Sequence, residues 1–66
     1  MATRKEIGER LRKLRGDESR EVVAIAAGVT SQAISNYELG IRIPSDDVKC
    51  KLADHFKRTV QEIFYD

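Results

Sequence analysis

AIAAGVTSQAISNYELG, residues 24–40, is the stretch on which the fold of this chain turns. Gly28 ends an apolar run and is followed by Val29 and Thr30. Glycine takes the left-handed conformation that closes a helix at the least steric cost, so Gly28 predicts a turn. Thr30 is then a natural N-cap, because its hydroxyl can accept from a free backbone N–H of the next helix. The pattern predicts two short helices joined by a tight turn, the second running from Ser31 to about Leu39 and turned outward.

On that second helix Ile34 and Tyr37 share one face, and small Ala33 lets a neighbouring helix approach. The opposite face carries Ser31, Gln32, Ser35 and Asn36. These side chains are short, uncharged and rich in donors and acceptors. Asn or Gln can bond adenine in a bidentate way, and Ser suits either role, each good pair being worth about 1–3 kcal/mol of discrimination. A helix face that merely meets water has a similar composition, so the neighbouring sequence has to decide.

The wider stretch SREVVAIAAGVTSQAISNYELGIRIP, residues 19–44, resembles the helix-turn-helix of the lambda-repressor and Cro group, the XRE-like family of DNA-binding domains. The resemblance runs from Leu11 to Phe64. It rests on the series Ala24, Gly28, Val29 and Ile34, on Glu38 spaced one residue from Gly40, and on Pro44 opening the next segment. It implies an all-α, compact five-helix lambda-repressor-like domain in which helices 2 and 3 form the helix-turn-helix. The implied function is sequence-specific binding of double-stranded DNA in the major groove by a transcriptional regulator, most simply a repressor. Ser31, Gln32, Ser35 and Asn36 are the expected base contacts; Arg20, Thr30 and Arg42 are the expected phosphate contacts. Arg15 and Glu38 are expected to pair structurally, clamping the first helix to the third. Many relatives dimerise through the C-terminal region, so a homodimer on an inverted repeat is the implied assembly.

Outward from this stretch, size and composition set bounds. Sixty-six residues are read as one domain spanning 1–66, and a chain this short buries only about 60% of its extended surface. Hydrophobic residues make up 41% and charged residues 35%, a globular mixture, and the net charge is only +1. Its distribution is uneven. Residues 1–15 hold Arg4, Lys5, Arg10, Arg12, Lys13 and Arg15 against Glu6 and Glu9, a local balance of +4. Residues 16–41 hold Arg20 against Asp17, Glu18, Glu21 and Glu38, a balance of −3. The remainder is neutral. A lone Cys50, no signal-like segment and no long apolar run predict a cytoplasmic protein without a disulfide.

Other helix signals flank the central stretch. A helix is predicted from about Ala2 to Leu14, in which Thr3 and Glu6 have the spacing of a capping box, with Ile7, Leu11 and Leu14 as its buried stripe and Gly16 as its stop. Ser19 caps the second helix, which buries Val23, Ala24 and Ala27 and runs to Ala27. Its Val22, Ile25 and Ala26 form a second apolar stripe at positions where the family usually carries charge. That stripe favours an alternative reading, a protein-interaction module of the same fold. Ser45 caps a fourth helix with Asp46 and Asp47 in its first turn, a core face of Val48, Leu52, Ala53 and Phe56, and a wet face of Lys49, Lys51, Asp54 and Lys57. Thr59 and Glu62 open a last short helix with Val60, Ile63 and Phe64 inward.

Cys50 and His55 lie on different sides of the fourth helix, and no other Cys or His exists to complete a metal site. No nucleophile, base and acid set suggests itself either, so neither a metal, a cofactor nor an enzymatic activity is expected.

Overall fold

The computed structural model describes residues 1–66, and its only secondary structure is five helices: α1 (Arg4–Arg15), α2 (Arg20–Ala27), α3 (Ser31–Glu38), α4 (Asp46–Phe56) and α5 (Gln61–Tyr65). Each of the first four begins where a hydroxyl satisfies a free N–H. Thr3, Ser19, Thr30 and Ser45 accept from the backbone of Glu6, Val22, Ala33 and Val48. The predicted capping box at Thr3 is complete, since Thr3 N donates to Glu6 Oε1 at 2.8 Å. The same exchange joins Thr59 and Glu62, at 2.9 and 3.1 Å. These bonds to the ionised form lower the Glu6 and Glu62 carboxyl pKa values below the ordinary carboxylate value.

The core is a single cluster. Phe64, Ile7, Leu52, Ile63 and Val23 are sealed from solvent at its centre, with Leu11, Ala24, Ala27, Ile34, Tyr37 and Ala53 around them. Truncating one fully buried phenylalanine in such a core costs about 3–5 kcal/mol. A domain of this size has on the order of 3–10 kcal/mol in total, so the C-terminal turn that carries Phe64 is integral to the fold.

α5 is a single wide turn closed by Asp66 N donating to Gln61 O at 2.9 Å, an i to i+5 bond. Arg10 of α1 holds it from outside. Its guanidinium donates to the carbonyl oxygens of Glu62 and Ile63, at 3.3 and 3.1 Å, and to that of Asp66. One arginine of the basic N-terminal stretch is therefore a cap for another helix.

Lys49 departs from expectation more sharply. Its helical register predicts the wet face of α4, yet it is only 6% exposed. Its ammonium lies over the rings of Phe64 and Tyr65, 5.6 and 4.9 Å from their centroids, and donates to Tyr65 Oη at 3.1 Å. Asp46 Oδ1 stands 3.7 Å away. α5 supplies the aromatic faces over which the Lys49 ammonium lies, and helical period alone does not disclose them.

A close helix contact is made by Gly8, which also escaped the sequence reading. A Cβ built there would lie 2.4 Å from Glu38 O and 2.8 Å from Tyr37 O. α1 crosses the end of α3 at backbone distance because this residue has no side chain. Alanine is the better helix former, yet Gly8→Ala is expected to destabilise by about 1–3 kcal/mol, because the new methyl would meet a fixed backbone. Urea unfolding measures this, and an unchanged or higher midpoint would show that α1 and α3 separate freely.

Candidate nucleic-acid interface

The helix-turn-helix is built as its residues require. Gly28 closes α2 in the left-handed conformation, φ 71° and ψ 32°. Val29 N donates back to Ala24 O at 3.0 Å, and its partly buried side chain packs on the core. Thr30 then starts α3, which buries Ile34 and Tyr37. The polar face turns outward. Thr30 and Gln32 are exposed, and Ser31, Ser35 and Asn36 are partly so.

Two of these side chains are coupled. Gln32 Nε2 donates to Asn36 Oδ1 at 3.1 Å, which leaves Gln32 Oε1 and the Asn36 amino group as an oriented acceptor and donor. The loop after α3 folds back onto the same residue. Ile41 N and Arg42 N both donate to Asn36 O, at 2.9 and 3.3 Å. Arg42 is thereby held beside the polar face, exposed and in none of the ion pairs of the structure.

The far end of α3 is fixed by charge. Glu38, whose side chain is only 4% exposed, accepts from Arg15 Nε at 2.6 Å and from Arg15 Nη2 at 3.3 Å. Arg20 Nε adds a bond of 3.2 Å to Oε1. The same Arg15 donates through Nη1 to Glu18 O at 2.7 Å. The hydrogen bond to Glu38 raises the Arg15 pKa above its ordinary value, against an opposing pull from burial, so this guanidinium stays charged at every working pH.

Arg20 is thus shared. It touches Glu38 through Nε, its side chain remains 45% exposed, and neither Nη1 nor Nη2 meets a protein acceptor. From the sequence Arg20 is expected only at a phosphate. The sequence reading also misses the link from Glu18 to His55 of α4, whose Nε2 lies 2.7 Å from Glu18 Oε1. Cys50 is exposed and free, and nowhere do three or more His, Cys, Asp or Glu side chains gather in a way that could hold a metal ion. No helix is long and apolar enough to cross a membrane. The second stripe of α2 faces solvent, with Val22 47% and Ile25 81% exposed.

The sequence profile of the helix-turn-helix domain family matches residues 6–63. The chain belongs to this family. Among solved structures, this helix-turn-helix domain is similar to the restriction-modification controller protein C.AhdI from Aeromonas hydrophila, with 30% identity and a TM-score of 0.83 over 92% of this chain and 96% of that one. It shares its fold with the clp gene regulator ClgR from Corynebacterium glutamicum, at 22% identity and a TM-score of 0.83 over 96% of this chain and 69% of the other. The competence regulator ComR from Streptococcus vestibularis is 25% identical with a TM-score of 0.82, over 94% of this chain but only 22% of ComR. A search of the curated proteins found no match. Family and fold together support DNA-binding transcriptional regulation, and a non-enzymatic role, for this chain.

The geometry at Glu38 separates two arginines. Arg15→Ala is expected to lose about 3–5 kcal/mol, since it strips a buried carboxylate of its bidentate partner. Arg20→Ala, at a half-exposed position, is expected to lose less than about 1 kcal/mol. Thermal and urea unfolding of the two variants tests this, and equal losses would remove Arg15 as the clamp.

Proposed function

We propose that this domain binds double-stranded DNA sequence-specifically, with α3 in the major groove, and regulates transcription as a repressor that occludes polymerase. The observation that carries the reading is the polar face of α3, whose Gln32 and Asn36 amides are mutually oriented at 3.1 Å beside the exposed, unpaired Arg42. In this reading Ser31, Gln32, Ser35 and Asn36 meet base edges. Thr30, Arg20 and Arg42 meet phosphates, which position the protein without carrying sequence information. Arg15 and Glu38 hold α3 in place and do not touch DNA. The cell compartment is the cytoplasm.

A homodimer on an inverted repeat completes the proposal, with recognition helices about 34 Å apart and half-sites one turn separated. The competing reading, a protein-interaction module of the same fold, draws on the exposure of Val22 and Ile25. Selection of duplexes from a random pool at two salt concentrations distinguishes them. An enriched palindrome supports specific dimeric binding. A pool that stays random and binding that collapses in modest salt would favour the protein-interaction module.

Single substitutions refine the assignment. Gln32→Ala is expected to lose about 1–3 kcal/mol on the selected sequence and to relax preference at one base pair. An equal loss on random DNA would take Gln32 off the reading face. Arg42→Ala is expected to weaken all DNA alike and to make the plot of log K against log salt shallower by about one unit. A slope that does not move would refute the phosphate contact.

A further inference from the structure

We propose that Arg4 and Lys5, at the start of α1, continue the cationic surface of Arg42 and grip the DNA sugar-phosphate backbone beyond the groove that α3 enters. The inference rests on the DNA-binding reading above and extends it to an element on which that reading places no contact.

The placement comes from two close backbone approaches. Gly8 brings α1 against the carbonyl end of α3, where a Cβ would stand 2.4 Å from Glu38 O. One turn earlier, a Cβ on Gly40 would lie 3.3 Å from Arg4 O and 3.4 Å from Lys5 N. A methyl group at Gly40 would therefore press on the first turn of α1, so the loop that leaves α3 runs close beside that turn. Arg42 follows Gly40 by two positions, at most about 7 Å of chain.

The three cations are also free to act. None of the five ion pairs includes Arg4, Lys5 or Arg42. Of the nine other cations five are committed, while Arg12, Lys13, Lys57 and Arg58 likewise form no ion pair, so what sets Arg4 and Lys5 apart is their approach to Gly40. Arg10 caps α5, Arg15 and Arg20 meet Glu38, and Lys49 and Lys51 meet Asp46 and Asp47. Of the acids on α1, Glu6 is turned back to the Thr3 N–H at 2.8 Å. Glu9, one turn after Lys5, forms no ion pair with it.

Folding gives no account of these charges. Arg4 and Lys5 occupy the first two helical positions, where the macrodipole disfavours cations. A DNA strand offers one phosphate per about 3.4 Å of axis, so clustered cations can each neutralise a separate phosphate and release its counterion. Two exposed, unpaired cations that oppose their own helix dipole and whose backbone borders the Arg42 loop fit that ligand.

The test is fluorescence anisotropy with a labelled mixed-sequence duplex of about 30 base pairs, titrated between about 50 and 200 mM salt. The double variant Arg4→Ala, Lys5→Ala is expected to have a salt slope shallower by about one to two units. Its thermal midpoint is expected to hold or rise. Exchanging the two cations, Arg4→Lys with Lys5→Arg, is expected to keep the slope. If Arg42→Ala makes the slope shallower and the double variant does not, this inference falls while the DNA-binding reading stands. If the wild-type domain binds no duplex, both fall together. A double variant that alters only sedimentation of the protein alone would assign the surface to the acidic stretch of a second copy, and would overturn the proposal.

Discussion

The Glu38 carboxylate is the constraint on which the arrangement depends. It sits at the last position of α3, almost sealed from water, and receives Arg15 from α1 and Arg20 from α2. A carboxylate removed from solvent must be fully paired, and Glu38 makes three contacts with two guanidinium groups. Its own carbonyl meets Gly8, so side chain and backbone of one residue fix α3 against α1. From Arg15 the polar chain runs through Glu18 to His55 and so reaches α4. One connected set of hydrogen bonds therefore touches the first four helices. In so small a domain, losing one partner of that set removes a large share of the total stability.

Rigidity at the C-terminal end of α3 has a consequence at its polar face. The helix spans eight residues, too few to persist on intrinsic propensity alone. Thr30 secures its first turn and Glu38 its last, while Ile34 and Tyr37 anchor the middle. Gln32 and Asn36 thus project from a helix held at both ends. Side chains carried in this way lose little additional freedom when they meet a partner, which is the condition for specific recognition by so few groups.

What could be read in the sequence is what is encoded locally. A hydroxyl before an apolar run, a glycine after it and a carboxylate three residues beyond the cap are short-range signals, and they located the starts at Thr3, Ser19, Thr30 and Ser45 and the stop at Gly28. The end of α4 carries no such signal, because it is closed by Lys57 at φ 57° and not by glycine. Gly8, Arg10 and Lys49 were missed for a related reason. Each is defined by an element far away in sequence, the end of α3 or the turn of α5, and helical period reports only which face a residue occupies. At the candidate site, the face of α3 was legible from its composition. The division of Arg20 between Glu38 and solvent, and the return of the Arg42 loop onto Asn36, arise only from tertiary packing.

The same distinction explains why a net charge of +1 says so little about this molecule. Net charge counts every cation equally, whereas the fold sorts them. Arg10 and Lys49 are turned onto carbonyls and aromatic faces, and Arg15 onto a buried carboxylate, so these are structural parts in effect. Their positive charge is largely answered within the protein. Arg4, Lys5 and Arg42 are among those left unanswered, and packing at Gly40 brings the backbone of Arg4 and Lys5 close to the loop that carries Arg42. The field that an approaching polyanion meets is set by such unpaired groups, since paired charges cancel within a few ångströms and salt screens the rest over about 10 Å. A chain close to neutrality can therefore present a locally cationic surface, provided its acids are spent on caps and clamps elsewhere, as Glu6, Glu38 and Glu62 are.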